Sequence, residues 1–542
     1  MNNQKTKNNS FVKQAAILAA AGLIARVLGF AYRIPITNIV GDDGNGVYAL
    51  AYNIYNFLLI LSSAGIPAAI SKMVAEQDSI GEYKESHRIF HASLLFVGGI
   101  GLFFSCWLFF FPNFFIKLTG DPRSYYSLIS LAPTVFVVAV MAVFRGYFQG
   151  KMTMIPTAVS QIIEQIFNAI FSIVLVIAFM KINLPVSNKF YGDKNALGAA
   201  GNTTGTGIGA VMGLLFLLGV YFLMRPLIMK ESKKGTKRTE YLKLIKKVIS
   251  ITVPFIAGAA IYSFSNIIDS LMVRSRLITA GYDSSQATSL FGIYNGKFIT
   301  LTTLPVAVSA AIAMAAIPSI AASVKKSGFS YIVIDKINTS LRLAMLICIP
   351  SAIGLMVLGD PILHMLFYKA PAGSYLLTLG AISVIFLSLS QVVAGMLQGI
   401  GKIVIPVIAA AFGVIVKIIL NYVLIAIPFI NINGAVISTI FCYLTASGIN
   451  LYFLARATKT KPDFMSILVK PLLSAAVMGL WCFVSYNLVL YIFPHNTAAV
   501  IFSILSGAVV YFIYLVVLKG VVKSDVSLLP FGRKIVNIMN KL

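Results

Sequence analysis

The chain has 542 residues, of which 58% are hydrophobic and only 11% charged, whereas soluble domains carry roughly a quarter charged residues. A soluble globular protein of this length cannot hide so much apolar surface, and a disordered chain or a disulfide scaffold is excluded on the same ground. The 43 Lys and Arg against 17 Asp and Glu leave a net charge of +26. That surplus must be tested against a membrane, where basic residues sort to one side, before nucleic acid is considered.

A helix crosses a bilayer with about 20 apolar residues. Fourteen apolar runs meet that length: 11–39, 47–74, 89–111, 125–148, 155–180, 205–228, 244–271, 287–320, 332–358, 374–400, 403–427, 432–455, 467–493 and 497–519. They are continuous rather than alternating, so they predict an all-α polytopic membrane protein and not a porin-type barrel. The first run is too long for the apolar part of a signal peptide, is interrupted by Arg26 and Arg33, and lacks a small-residue cleavage end. It reads as a retained span. The four cysteines, Cys106, Cys348, Cys442 and Cys482, lie inside apolar runs without CxxC pairing and read as small hydrophobes.

Basic residues between the runs divide unevenly. Thirty lie in the termini and the even-numbered loops, eight in the odd-numbered loops, and Arg26, Arg33, Lys297, Arg342 and Lys417 fall within runs. The asymmetry places both termini in the cytoplasm, supports an even number of spans and accounts for most of the surplus without nucleic acid. The longest basic stretch, Arg225–Lys247, divides the chain into an N-lobe at 1–228 and a C-lobe at 244–455, joined by a basic linker at 229–243. Spans 13 and 14 occupy 456–519, and a tail follows at 520–542. In the linker Leu242, Ile245 and Ile249 share a helical face opposite lysines, which suggests an interfacial helix on anionic lipid, with a solvated linker as the alternative. The tail is similarly amphipathic, with Ile535, Ile538, Met539 and Leu542 opposed to Arg533, Lys534 and Lys541.

An internal repeat supports the division. FRGYFQGKMTMIP (Phe144–Pro156) recurs as VAGMLQGIGKIVIP (Val393–Pro406), with Gly146, Gln149, Gly150 and Pro156 matching Gly395, Gln398, Gly399 and Pro406. Each copy ends one run and opens the next, six runs apart, so the two halves are parallel repeats and the last two spans stand outside them.

Ionisable groups in the bilayer core cost about 2.5–3.5 kcal/mol even on the gentler scales, which makes each one a functional candidate. Arg26 and Arg33 share a face of run one. Gln161, Glu164 and Asn168 form a polar stripe in run five. Asp269 lies toward the outer end of run seven with Asn266 and Tyr262 on its face, and Lys297 is mid-run in eight. Gln391 and Gln398 face one way in run ten, and Lys417, with Asn421 one turn on, is mid-run in eleven. These charges could pair and lock helices, Glu164 with Arg26 or Lys417 and Asp269 with Lys297. Four bases against two acids leave a positive surplus that pairing does not absorb, as a water-filled cavity for an anionic group would require. Arg145 and Arg342, at run ends, are expected to snorkel to the interface.

Other patterns are weaker. His87 and His91 have i,i+4 spacing but no third ligand, so no metal site is expected there. Asp42 and Asp43 in GDDGNG (Gly41–Gly46) could hold a metal, but a turn between runs accounts for them. No phosphate-binding loop of the GxxxxGKS kind and no Ser/His/Asp or Cys/His arrangement occurs, so no catalytic residue, nucleotide or other cofactor is expected.

ARVLGFAYR (Ala25–Arg33), followed by GDDGNGVYALAYNIYNFLLILSSAGIPAAISKMVAE (Gly41–Glu76), resembles the polysaccharide-exporter families of the multidrug/oligosaccharidyl-lipid/polysaccharide superfamily. More narrowly, it is similar to the Gram-positive branch of stage V sporulation protein B and YtgP, related to the lipid II flippase MurJ. The resemblance implies two six-helix lobes around a central cavity, an extra helix pair lining a lipid groove, and alternating access of an undecaprenyl-pyrophosphate-linked saccharide. Arg26 matches the family's first-span arginine. Tyr32 and Arg33 stand where the Gram-negative branch has an Arg-Asp pair, Lys297 where it has an arginine, and Thr300 where it has an acid. Leu59–Leu61 carries none of that branch's arginines. The cationic cavity is implied, with different wiring.

The resulting expectation is a flippase that moves lipid II or a related cell-wall precursor from the inner to the outer leaflet of a bacterial cytoplasmic membrane. It would act as a monomer, with proton or sodium coupling as the rival to membrane potential. A multidrug/cation antiporter of the same superfamily would want an acidic cavity, and a membrane-embedded glycosyltransferase would want acids on a sizeable outer loop. The charge asymmetry is tested by single cysteines at Lys234 and Asn45, which should be labelled by an impermeant thiol reagent from opposite sides. Labelling from one side contradicts the fourteen-run topology.

Overall fold

The structure is a computed structural model that describes residues 17–18, 20–182, 193–231, 235, 238–328, 330–459 and 463–520. The amphipathic face assigned to the tail and five residues of the basic linker lie outside the described residues, as does the Tyr262 side chain. Among the described residues the chain is helical, with no strand. It divides into two compact units, Met1–Gly292 and Ile293–Leu542.

The first unit begins with α1 (Ala20–Ala31) and α2 (Arg33–Ser63), separated at Tyr32. Gly41 breaks α2 at φ 70° and ψ −173°, a conformation that side chains with a Cβ resist. The expected turn is therefore a one-residue break, and the helix resumes at Asp42. α3 (Ile66–Ser79) continues the second run after Gly65 at φ 74°. There follow α4 (Tyr83–Phe110), the short α5 (Pro112–Thr119), α6 (Tyr125–Gly150), α7 (Ile155–Met180), α8 (Lys194–Glu231), α9 (Tyr241–Thr279) and α10 (Ser284–Ile293). Beyond it lie a π-helical turn at Tyr294–Ile299, α11 (Thr300–Ser327), α12 (Tyr331–Val357), the short α13 (Gly359–Leu366) and α14 (Ser374–Gly380), α15 (Ser383–Gly399), α16 (Val404–Leu424), α17 (Asn433–Thr458), α18 (Lys470–Ile492) and α19 (Asn496–Val517).

Eleven helical stretches among the described residues are long and apolar enough to cross a membrane, or twelve if α14 and α15, bent by 48°, form one span. Fourteen is not reached on that measure. Runs one and two share the 47-residue stretch Arg33–Ser79, and α9, the seventh run, is not among the eleven.

One local expectation is corrected: in the segment between runs five and six, 181–204, the part from Lys194 onward is helix, since α8 starts there. Gly201, Gly205, Gly209 and Gly213 recur every fourth residue on α8 and face α7, where a Cβ on Gly201 would lie 2.7 Å from the Leu175 carbonyl carbon and one on Gly209 2.6 Å from Glu164 O. Small residues at this spacing let helix backbones touch, so packing rather than apolar content extends the helix. At the C-terminal end of the linker, Leu242 of the expected apolar face is exposed and Ile245 and Ile249 are half-buried. α9 is continuous from Tyr241, and the buried residues are Leu244 and Val248, four apart, while Leu242 is 63% exposed.

The division at Gly292 leaves α9 in the first unit. Asn53 Nδ2 donates to Ser270 Oγ at 2.8 Å, and Arg88 Nη2 donates to Thr239 O at 2.8 Å. α10 lies against the start of resumed α2, where the Gly46 and Gly292 backbones face Thr288 and Asp42 with no room for a Cβ.

The two units repeat one set of helix pairings. In the first, α3 packs on α6, α4 on α6, α6 on α8 and α7 on α8; in the second, α11 packs on α15, α12 on α15, α15 on α17 and α16 on α17. The repeated glycines sit at equivalent contacts. A Cβ on Gly146 would lie 2.9 Å from Pro67 Cα, and one on Gly150 3.0 Å from Ser71 O. On the other copy, a Cβ on Gly395 would lie 3.1 Å from Ala313 O and one on Gly399 3.1 Å from Ile317 O. α18 packs on α12 and α19, and α19 also on α13. Asn45 is buried at 6% exposure, so the exposed Lys117 replaces it as the reporter of that side, with the exposed Arg238 as its counterpart.

Candidate functional site

In the first unit, Gly22, Arg26, Gly29 and Arg33 share one helical face across α1 and the start of α2. The glycines face α7: a Cβ on Gly22 would lie 4.0 Å from Gln161 Oε1 and one on Gly29 3.4 Å from Gln165 Oε1. Arg26 is exposed and Arg33 half-buried. Arg33 is hydrogen-bonded to the Tyr32 side chain, and its guanidinium carbon lies 5.9 Å from the Tyr52 ring centroid.

Deeper in the same unit, Asn168 Nδ2 donates to Tyr32 Oη at 3.4 Å. Asn168 Oδ1 accepts from Ser172 Oγ at 2.9 Å and Thr206 Oγ1 at 3.3 Å. Glu164 accepts from Arg145 Nη2 at 2.8 Å, and Arg145 Nε donates to Ser160 Oγ at 3.1 Å. Arg145 therefore turns inward to an ion pair instead of snorkelling, because Glu164 stands within its reach on the adjacent helix. Asp269 is buried at 2% exposure on α9.

In the second unit the two lysines are almost fully enclosed, Lys297 at 1% and Lys417 at 2% exposure. Lys297 Nζ donates to the carbonyls of Ala370 and Ala372, at 2.9 Å for the latter, and lies 5.8 Å from the Phe367 ring centroid. Asn421, beside Lys417, accepts from Ser438 Oγ. Arg342 is also buried, at 7% exposure, which corrects its assignment to the interface. Gln391 is half-buried and Gln398 exposed. The four intramembrane bases are thus unlike: two arginines keep exposed surface and two lysines are embedded in their own unit.

The sequence reading missed the most connected polar cluster. Arg123, in the 3-10 turn Pro122–Ser124, binds Asp43 with both terminal nitrogens, at 2.6 Å and 3.0 Å, and Asp193 at 3.1 Å. It also binds Asp121 at 2.9 Å. Asp43 accepts from Asn195 Nδ2 at 2.9 Å. Asp121 accepts from Thr288 Oγ1 at 2.8 Å, and Arg274 donates to Thr288 Oγ1 at 3.0 Å, to Gly120 O at 2.6 Å and to Ser284 Oγ. One guanidinium and its neighbours thus join the segments between runs one and two, three and four, five and six, and seven and eight. The visible signal was an acid or base in each of those segments, but partners between segments lie 70 to 167 residues apart and leave no local spacing to read.

This cluster also disposes of the metal reading at Asp42 and Asp43, since Asp43 is committed to Arg123 and Asn195. Among the described residues no group of three His, Cys, Asp or Glu is placed to hold a metal. His87 and His91 have their Nε2 atoms 3.0 Å apart, and all four cysteines are free thiols.

A family model described as polysaccharide biosynthesis protein matches residues 11–324, more than half of the chain, and the chain belongs to that family. Stage V sporulation protein B of Bacillus subtilis (strain 168) is 28% identical over 539 residues, covering 97% of this chain and 99% of that one. The lipid II flippase MurJ of the same organism is 27% identical over 460 residues, 81% of each chain. Among solved structures, a lipid II flippase MurJ in an inward closed conformation matches with a TM-score of 0.67 at 17% identity, covering 93% of this chain and 98% of that one. An inward-facing multidrug resistance MATE family transporter of the MOP superfamily matches at 0.63 and 14% identity, over 81% and 98%. The structural likenesses show a shared fold. This is a multi-pass membrane protein with the fold of that transporter superfamily.

Burial pushes the Asp121 carboxyl up, but the hydrogen bond and charge of Arg123, the Thr288 hydroxyl and the charge of Arg274 outweigh it and hold it below its ordinary 3.8. A carboxylate with a depressed native pKa stabilises the fold above its unfolded value, and that contribution is lost as pH falls through the native one. Asp121→Asn is expected to cost about 3 kcal/mol at neutral pH, as for breaking a buried ion pair. Its melting temperature in detergent should then change less than wild type's on acidification below 3.8. Equal melting temperatures at neutral pH would show the cluster to be dispensable.

Proposed function

We propose that this chain is an alternating-access flippase that carries an undecaprenyl-pyrophosphate-linked saccharide, lipid II or a related cell-wall precursor, from the inner to the outer leaflet of the cytoplasmic membrane. The observation that carries the reading is Arg33, half-buried over the Tyr52 ring, with Arg26 exposed two helical turns before it. Both lie in an apolar segment, where a permanent charge is costly and marks a functional candidate. A guanidinium matches a phosphate with two parallel hydrogen bonds. Arg26 and Arg33 are therefore assigned to the pyrophosphate. Lys297 and Lys417, embedded among polar partners, are assigned to holding the second unit together.

The proposal includes fourteen spans, cytoplasmic termini and two parallel lobes, supported by the thirty-to-eight division of basic residues and by the repeated helix pairings. The names of the similar proteins point the same way. The antiporter reading would place an acid at the centre of transport, and Glu164 is already paired with Arg145.

In a bacterium depleted of its own lipid II flippase, the wild-type chain should restore wall synthesis. Arg26→Gln and Arg33→Gln should each reduce rescue at least tenfold while membrane levels stay unchanged. Normal rescue by both variants contradicts the assignment.

The driving force in this proposal is a gradient, as no GxxxxGKS loop occurs in the sequence. Moving one elementary charge through 100 mV is worth about 2.3 kcal/mol, and outward movement of an anion runs down a negative-inside potential. In proteoliposomes, collapsing the potential while holding the proton gradient should stop flipping. Flipping that continues, and is lost in Glu164→Gln or Asp269→Asn, would assign coupling to an ion instead.

A further inference from the structure

Tyr48, Tyr52 and Tyr55 are spaced to share one face of α2. Tyr48 and Tyr52 stack with ring centroids 5.2 Å apart and an interplanar angle of 21°, and Tyr55 leans on Tyr52 at 5.6 Å. The Arg33 guanidinium stands 5.9 Å from the Tyr52 centroid. Tyr48 is only 8% exposed, yet its hydroxyl has no hydrogen-bond partner among the described residues. A buried hydroxyl without a partner weakens the empty fold and calls for something to meet it. Tyr52 remains half-buried, so this ring, unlike its neighbours, keeps surface open beside the arginine.

We propose that Tyr48 and Tyr52 form an aromatic shelf that seats the first pyranose ring of the cargo next to the pyrophosphate held by Arg33. The inference rests on the flippase reading. A pyranose has an apolar C–H face and a rim of hydroxyls. The Tyr52 ring offers a flat apolar surface to the first, and the unmatched Tyr48 hydroxyl, enclosed beneath it in this conformation, offers a donor and an acceptor to the second once the face opens. Arg33 serves the charged linkage alone. The shelf therefore contributes to recognition of the saccharide, and the arginine to recognition of any polyprenyl pyrophosphate.

The test measures binding of two probes to the detergent-solubilised full chain: undecaprenyl pyrophosphate, and the same lipid carrying a pyranose disaccharide. Tyr52→Leu should weaken the disaccharide lipid about tenfold, which corresponds to about 1.4 kcal/mol, and leave the sugar-free lipid unchanged. Tyr52→Phe, which keeps the ring, should bind both like wild type. Tyr48→Phe should raise the melting temperature of the ligand-free protein and weaken only the disaccharide lipid. Arg33→Gln should weaken both. Equal effects of Tyr52→Leu on the two lipids, or none on either, overturn the shelf while leaving the flippase reading standing. A wild-type chain that binds neither lipid overturns the flippase reading, and the shelf falls with it.

Discussion

A charge inside an apolar helix must be met by protein or by water, because the hydrocarbon offers neither a hydrogen bond nor a high dielectric. Several of the charges in this chain's apolar helices are met by protein groups. Arg145 meets Glu164, and Lys297 meets the backbone carbonyls between α13 and α14. Such groups hold helices in register. Arg26 and Arg33 keep exposed surface, and they lie on the helix pair whose glycines bring it against α7. The functional reading follows from where these two arginines sit and how much surface they keep, not from the number of charges.

The surrounding frame is built to stay still. α8 lies on α7 through glycines at every fourth position, and the repeated glycines hold α6 on α3 and α15 on α11. Contacts of backbone on backbone tolerate no added methyl group and so fix one geometry. At one end of the first unit, Arg123 and Arg274 with Asp43, Asp121 and Asp193 tie four loop segments together. A guanidinium with most of its donors engaged by carboxylates leaves those loops little freedom to move separately. The arginine and tyrosine face thus sits on a unit braced along its helices and across one end.

Much of this was legible from the sequence. Apolar runs gave the helices, and FRGYFQG against VAGMLQG gave the repeat, because glycines that touch a neighbouring backbone leave a spaced pattern. The polar stripe Gln161, Glu164 and Asn168 faces the first helices and α8 as its spacing required. The partner of Glu164 was misread because Arg145 lies near the end of its run, where a long side chain was expected to reach outward. The early start of α8 was missed because its first turns are rich in glycine and small polar residues, which look like a loop until α7 is there to pack against. The Arg123 cluster was invisible because its members come together only in three dimensions.

The central claim is that the face bearing Arg33 and Tyr52 opens to water and to a charged lipid. The most direct measurement places one cysteine at Tyr52 in a chain whose four native cysteines have been replaced, and follows its reaction with a small water-borne thiol reagent in native membranes. The account predicts rapid modification that slows when an undecaprenyl-pyrophosphate-linked saccharide is added. A cysteine at that position that stays unreactive, while the exposed Lys117 position reacts in the same membranes, would mean that the chain has no aqueous site there.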